Sequence, residues 1–367
     1  MKITAAVVER THGPFVLREV LLDEPRRGEV LVRVAATGIC HTDSITRHGD
    51  LPFPLPGVLG HEGVGVVAAV GPGVDDTREG DHVVLGWPWC GACRNCLDGQ
   101  PRYCLRLEEL LVGGGRSDGS TALHTIDGSP LASHFFGQSS FATHAIVPRR
   151  GLVTVDRDLP LYLLGPLACG LSTGAGAVLN VLRPHAGASL VVYGVGSVGL
   201  AAVMAARNSG ATRIIAVDRH PSRLALAGRF GATDVVNVQE TDPVAAVHEI
   251  CAGPADFSLE CTGVVAVCRQ AVDSVGMRGV CALIGGAPAG ARVEIDHLST
   301  LWGKRVIGIL GGEGRGTTLI PTLIDLYRQG RFPFDELVTY FPFDQIGEAL
   351  AAAESGDVLK PVLRMPV

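Results

Sequence analysis

The chain has 367 residues, 37 Asp and Glu against 31 Lys and Arg for a formal net charge of -6, and a hydrophobic fraction of 47%. That length exceeds what one core ordinarily organises, so two domains are expected, and the composition fits neither a disulfide-stapled miniature nor a disordered chain. A nucleic-acid surface is excluded by the acidic balance and the lack of basic runs, Lys2, Lys304 and Lys360 being the only lysines.

The N-terminus, Met1-Lys2-Ile3-Thr4-Ala5-Ala6-Val7-Val8-Glu9-Arg10, has too short an apolar part for a secretory leader, and no stretch reaches the ~18 apolar residues of a spanning helix. A cytoplasmic protein with no membrane contact is expected. In that compartment cysteines are metal ligands or buried thiols rather than disulfides, and their spacing decides which.

From residue 1 to residue 155 the apolar runs Ile3–Val8, Glu29–Ala36, Gly63–Val70, Asp81–Leu85 and Phe141–Val147 are short and punctuated by Gly and Pro, which predicts a partly open β-barrel. Two motifs interrupt it: Cys40-His41-Thr42-Asp43 and Gly60-His61-Glu62-Gly63. Next, Cys90, Cys93, Cys96 and Cys104 share a loop with Arg94, Asn95, Asp98 and Arg102. Four thiolates so spaced match the closed tetrahedral shell of a structural zinc, which contributes folding energy and leaves no position for substrate. The stretch from Leu105 to Gly137, rich in Gly, Ser and His, predicts a surface loop. A catalytic metal needs only three protein ligands plus a water or alcohol, and Cys40, His61 and the lone Cys169 are the candidates, each with the plain alternative of a buried or structural residue.

After Cys169 strand-like runs alternate with helix-length segments. Ser189–Tyr193, Arg213–Val217, Asp234–Val236, Asp256–Glu260, Gly279–Ile284 and Arg305–Ile309 predict a six-stranded, doubly wound parallel sheet, making the chain an α/β protein. Between the first of these strands and the helical run Leu200–Arg207 stands Gly194-Val195-Gly196-Ser197-Val198-Gly199, the dinucleotide fingerprint in its proper context. Gly194 permits the turn, Gly196 the approach of a pyrophosphate, and Gly199 the packing of helix on strand, leaving the helix N-terminus to the phosphates. Asp218 ends the next strand, where a carboxylate bonds ribose hydroxyls and repels a 2′-phosphate; this favours NAD over NADP, with Arg219 pulling the other way. The helical patterns Thr317–Gln329 and Asp344–Glu354 and the extended tail Leu359–Arg364 are expected to rejoin the first domain.

Taken together, these motifs, with Cys169-Gly170-Leu171-Ser172-Thr173-Gly174, closely resemble the zinc-dependent medium-chain alcohol dehydrogenases over essentially the whole chain. Leu164-Gly165-Pro166-Leu167-Ala168-Cys169-Gly170, His134-Phe135-Phe136-Gly137-Gln138-Ser139-Ser140-Phe141 and Phe332-Pro333-Phe334-Asp335 resemble the aryl-alcohol (benzyl-alcohol) and geraniol dehydrogenase branch. The resemblance implies a GroES-like catalytic domain over residues 1–170 and 314–367, holding both zinc sites, and an NAD-binding Rossmann domain over 171–313. It implies that Cys40, His61 and Cys169 hold the catalytic zinc, with Glu62 an occasional ligand and Asp43 orienting His61. Thr42 matches the residue that takes the alcohol's proton, His41 and Lys360 the pyrophosphate grip, Arg223 a basic residue near the adenosine ribose, and Thr173 part of the cofactor site. One departure matters: where many relatives carry a histidine that passes the proton to solvent, this chain has Ile45. The exit is then through the cofactor ribose to His41, through His48, or through water. Phe53, Trp87 and Phe141 are the expected walls of an apolar pocket.

The expected protein is thus a homo-oligomeric, NAD-dependent enzyme with two zinc ions per chain that interconverts a small aromatic or allylic primary alcohol and its aldehyde, zinc acting as Lewis acid and the nicotinamide taking the hydride. The alternatives are a thiol-dependent formaldehyde dehydrogenase of the same family and a catalytically silent cofactor-binding homologue.

Overall fold

Backbone hydrogen bonds sort the strands of the computed structural model, which describes residues 1–366, into three sheets. Two belong to a first compact unit, formed by Met1–Cys169, Arg315–Pro321 and the segment from Asp335 onward; the third belongs to a second unit, Gly170–Gly314 with Thr322–Phe334.

In the first unit the longer sheet runs Leu152–Val155, His82–Leu85, Glu62–Val70, Glu29–Gly38, Lys360–Arg364, Val338–Pro342, with His144–Pro148 also paired to Glu29–Gly38. The shorter runs Gly57–Val58, Lys2–Val8, Phe15–Leu22, Leu123–His124, Pro130–Leu131. Together they curl into the partly open GroES-like barrel, filled by Val7, Val30, Val32, Leu59, Phe135 and Phe141, all fully buried. Every expected strand of this region is present. Phe15–Leu22 was not expected, because exposed Leu17, Arg18 and Glu19 break its apolar pattern while its backbone pairs with Lys2–Val8 along its whole length. The stretch expected as a surface loop, Leu105 to Gly137, also differs. It contains a helix, Leu107–Val112, and Arg116 fastens it to the barrel: Nε donates to Glu29 at 2.7 Å and Nη1 to Asp23 at 2.8 Å, the side chain only 6% exposed. Its far end, Phe135 to Gly137, is buried.

The second unit is a six-stranded parallel sheet in the order Asp234–Asn237, Arg213–Asp218, Ser189–Tyr193, Ala255–Glu260, Val275–Leu283, Arg305–Gly308. The order reverses beside Ser189–Tyr193, the topological switch point of a doubly wound fold. Val191, Tyr193, Ile215, Val217, Ala271 and Cys281 form its core. The helix Ser197–Arg207 is buried from Gly199 to Ala206, which small side chains allow. The helix Gly316–Arg328 is divided at Pro321, and Thr322–Phe334 goes with this unit rather than wholly with the first. The side chain of Asn208 explains the attachment, donating to the Arg331 carbonyl at 3.0 Å and accepting from Arg331 Nε at 2.8 Å. No helix among the described residues is long and apolar enough to cross a membrane.

Candidate active site

Strand Glu29–Gly38 ends just before Cys40, which caps the helix His41–His48 with an extended backbone (φ -118, ψ 157). The third helical residue is Asp43, and an acidic side chain there reaches back to the capping N–H: Cys40 N–H donates to Asp43 Oδ2 at 2.9 Å. The other oxygen accepts from Gly60 N–H and His61 Nδ1, both at 3.1 Å. One fully buried carboxylate therefore joins the helix start to the next strand and fixes the His61 tautomer, with Nδ1 protonated and the Nε2 lone pair turned away. Nε2 is buried and has no hydrogen-bond partner. A buried lone pair left so is costly unless an ion takes it.

The ligand atoms of Cys40, His61, Glu62 and Cys169 all lie within 4.8 Å of one another. The Cys40 thiol is drawn well below the ordinary thiol range by its bond to Cys169 and by His61, against its burial. Cys169 is pushed correspondingly up, by Cys40 and by burial. Two sulfurs, an imidazole and a carboxylate crowded around shared protons are a donor set that zinc fits. Glu62 is the least available of the four. Lys360 Nζ, expected on the pyrophosphate, is buried here and donates to both Glu62 oxygens at 3.0 Å and to the Ile39 carbonyl at 3.2 Å. Burial nevertheless pushes the Glu62 carboxyl up to about 7, Lys360 opposing.

Thr42 follows on the helix, its Oγ1 3.7 Å from Cys40 Sγ. His41 is exposed beside it and Ile45 half-buried. His48 occupies the far end of the helix, its Nε2 2.9 Å from Arg47 and its ring 5.1 Å from that of His12.

Of the segment Phe135 to Phe141 only Phe141 is expected in the site from the sequence, and the structure gives the rest of it work. Phe141 and Ser140 N–H donate to the Leu59 and Gly60 carbonyls, Ser139 Oγ to that of Val58 at 2.6 Å. Gln138 Nε2 donates to the His61 and Leu85 carbonyls, both at 2.9 Å, and its Oε1 accepts from Gly63 N–H at 3.0 Å. This brace grips the chain on both sides of His61 and Glu62. Gly60 makes the approach possible, because with φ +92 a Cβ there would lie 2.5 Å from Phe141 N.

The same segment carries the aromatic wall. Phe136 stacks on His61 at 4.6 Å, Phe135 meets it edge-on at 5.6 Å, and Trp87 meets Phe136 at 5.1 Å. Phe136 holds this place at φ 51, in a region that costs a bulky residue about 1–3 kcal/mol. Phe53 touches Phe135 at 5.1 Å and also lines a cleft of about 580 Å³, whose other wall includes Glu108, Glu109 and Val112. An aromatic path thus runs from the cleft to His61. Phe141 does not belong to it: it is fully buried, edge-on to Phe15 at 5.4 Å, and fills the barrel instead.

Cys90, Cys93, Cys96 and Cys104 also converge, their sulfurs within 4.8 Å of one another. Backbone N–H groups point at the sulfurs: Cys93 N and Ala92 N at Cys90 Sγ (3.3 and 3.5 Å), Cys90 N at Cys104 Sγ (3.4 Å), Leu105 N at Cys93 Sγ (3.4 Å). The bonds from Leu105 and Cys96 pull the Cys93 thiol down to about 6, while burial pushes Cys96 up to about 12. Such a nest suits thiolates, and a zinc ion would displace the remaining protons.

In the second unit Gly194 turns with φ +83, and a Cβ on Gly199 would lie 2.0 Å from the Gly194 carbonyl, whereas a Cβ on Gly196 would meet nothing within 4 Å. That open space faces the first turn of the helix Ser197–Arg207, the cradle a pyrophosphate fits. Asp218 Oδ2 accepts Val195 N–H at 2.8 Å and its Oδ1 the N–H groups of Arg219 and His220 at 2.8 and 2.9 Å. Arg219 is exposed, while Thr173 and Arg223 are half-buried.

Residues 26–157 match the family described as alcohol dehydrogenase GroES-like domain, and residues 197–329 that described as zinc-binding dehydrogenase. The geraniol dehydrogenase of Castellaniella defragrans is 43% identical over 98% of this chain and 96% of its own length. The chain belongs to the zinc-dependent medium-chain alcohol dehydrogenases. This dehydrogenase is also similar to the solved benzyl alcohol dehydrogenase of Acinetobacter calcoaceticus, with TM-score 0.97, 43% identity and all of both chains covered. It is 35% identical to the S-(hydroxymethyl)glutathione dehydrogenase of Paracoccus denitrificans over 99% of this chain and 100% of that one. It is therefore an NAD-dependent zinc enzyme acting on alcohols.

Proposed function

We propose that this dehydrogenase oxidises an uncharged aromatic or allylic primary alcohol to its aldehyde, reversibly, with NAD. The observation that carries the reading is the aromatic path Phe53, Phe135, Phe136 and Trp87 ending on His61. Flat apolar substrates gain by stacking on such a wall. Glu108 and Glu109 at the cleft weigh against the thiol-adduct reading, because carboxylates there repel an anionic thiol carrier.

In this reading Cys40, His61 and Cys169 would hold a zinc ion, which would supply Lewis acidity at the alcohol oxygen, and NAD would supply the hydride acceptor. Asp43 fixes His61, and Gln138 fixes the backbone around it. Thr42 Oγ1 would take the hydroxyl proton of the alcohol, whose carbinol hydrogen would leave with two electrons for that acceptor, giving the aldehyde. The proton goes on through His41, which stands exposed next to Thr42. His48 is a poorer exit, since it lies six residues along the helix, roughly 9 Å in rise, and its Nε2 is engaged by Arg47. Lys360 holds Glu62 as a charge partner behind the metal ligands. Asp218 and the glycine turn hold the cofactor.

The protein is further proposed to be cytoplasmic and homo-oligomeric. Leu298, Leu301, Trp302 and Met277 are 56–72% exposed around the edge strand Arg305–Gly308, an apolar patch of the kind that association covers.

A panel of benzyl, allylic terpene and short alkyl alcohols, and of formaldehyde with a low-molecular-weight thiol, each with NAD and NADP, tests the reading by kcat/KM. Highest kcat/KM on an aryl or allylic alcohol with NAD is expected. Preference for the thiol adduct, or for NADP, would overturn it.

A further inference from the structure

Both metal-binding groups lie in the first unit, and side chains run from one to the other. Arg102 sits in the short turn Pro101–Tyr103 that closes the four-cysteine loop just before Cys104, and Asn95 Nδ2 pins that turn by donating to the Tyr103 carbonyl at 2.6 Å. Though its backbone belongs to this loop, its side chain turns inward and the residue is only 7% exposed, with its guanidinium carbon 4.9 Å from the centroid of the Trp87 ring. Trp87, itself 7% exposed, meets Phe136 at 5.1 Å, and Phe136 stacks on the metal ligand His61 at 4.6 Å.

Burying a guanidinium is expensive unless its charge is met. The face of Trp87 is one of the contacts that make such a cation tolerable. The placement also has a local cause, because folding the cysteines around an ion fixes the turn from which Arg102 projects.

We propose that Arg102 is a positioning residue of the catalytic site, transmitting closure of the four-cysteine loop through Trp87 and Phe136 to His61. The four-cysteine metal then does more than hold its own loop: it sets the aromatic wall against which the alcohol lies. The inference rests on the metal assignments above, and on the proposed substrate only for the identity of what meets the wall.

Trp87 is made the sole tryptophan by Trp89→Phe and Trp302→Phe, and the catalytic zinc is replaced by cobalt. In this background Arg102→Met keeps most of the stem and removes the charge, while Arg102→Lys keeps a charge without the planar guanidinium. Metal per chain, Trp87 emission, the cobalt d–d spectrum without substrate, and kcat and KM are measured for each. For Arg102→Met we expect two metals retained, a shifted Trp87 emission, an altered cobalt spectrum and a KM for the preferred alcohol raised about fivefold, a fraction of what a desolvated cation–π contact is worth because the effect reaches the alcohol only through the wall. Arg102→Lys should fall between it and the parent. Two metals retained with cobalt spectrum and KM unchanged would overturn the proposal and leave Arg102 a packing residue. Should Arg102→Met fail to fold, Arg102→Lys decides by the same spectrum. The spectrum needs no turnover, so a parent enzyme inactive on aryl and allylic alcohols sinks the substrate reading without touching this test.

Discussion

Asp43→Asn probes how the catalytic ligands are held. In the native site Oδ1 accepts from Gly60 N–H and His61 Nδ1, and Oδ2 from Cys40 N–H. An asparagine that keeps its oxygen on the first two must turn its NH2 toward the Cys40 N–H, two donors facing each other; the flipped amide loses two bonds instead of one. One hydrogen bond to a charged acceptor is worth about 1.5–3 kcal/mol. In the flipped orientation His61 is among the groups that lose their acceptor, and a lost outer partner of a metal-bound histidine commonly weakens metal affinity ~10–100-fold, which is ~1.4–2.8 kcal/mol, the same scale. The assay is dialysis against graded chelator with metal per chain determined at each step, the four-cysteine metal serving as internal reference. The variant should lose one metal at roughly ten- to a hundredfold lower chelator strength and keep the other. If both metals are retained as in the parent while only the melting temperature falls, Asp43 is a helix cap and no more.

Cys169→Ala should keep one metal and the fold but lose activity, whereas Cys93→Ala should lower the melting temperature, because binding at the closed site is folding free energy; metal content with thermal melts separates the two, and the reverse pattern would exchange the roles. Asp218→Ala should erode the preference for NAD, and because Val195 N–H loses its acceptor the glycine turn should loosen too; an unchanged NAD/NADP ratio of kcat/KM would mean the ribose is read elsewhere. His41→Arg should leave NAD affinity intact yet slow alcohol oxidation below about pH 8 by roughly ten- to a hundredfold, partly rescued by imidazole; an unmoved pH profile of a hydride-limited kcat would return the proton to His48 or water. His134 is buried and held down to about 4, burial first and Arg116 second, Glu29 opposing, against an ordinary 6.5. As pH falls through 6.5 the unfolded chain takes the proton first, so stability is complete above that value and declines toward pH 4 by on the order of 3 kcal/mol. His134→Gln should flatten that decline in acid melts, and an unaltered slope would assign it to other groups.

That the candidate metal donors converge could be read from sequence because their chemistry is local or type-specific. Four cysteines on one loop have few other uses, and Cys40 to Asp43 form a helix start whose capping geometry follows from the order of the residues. The six strands of the parallel sheet were legible for a similar reason: the inner ones are largely buried and so nearly continuous apolar runs, and the half-exposed edge strands Asp234–Asn237 and Arg305–Gly308 still centre on Val235-Val236 and Val306-Ile307. Phe15–Leu22 was not, since its exposed middle, Leu17 to Glu19, is held by backbone pairing to Lys2–Val8, which leaves no apolar signature. Nor could a one-dimensional pattern assign Thr322–Phe334 to the second unit, which depends on Asn208 meeting Arg331 across more than a hundred residues of chain.

What only the tertiary structure decided is which side chains meet. Lys360 is one of three lysines, and nothing in its neighbours says that it lies on Glu62. Phe141 and Phe136 are two aromatics of one segment, yet the first fills the barrel and the second stacks on His61. The difference comes from the brace that Gln138 and Ser139 make along Val58 to Gly63, which fixes the rotation of every residue between. Sequence determines the chemistry available to a site wherever donor types and spacing suffice; long-range contact decides which of those groups face the substrate, because burial direction is a property of the packed chain and not of the residue.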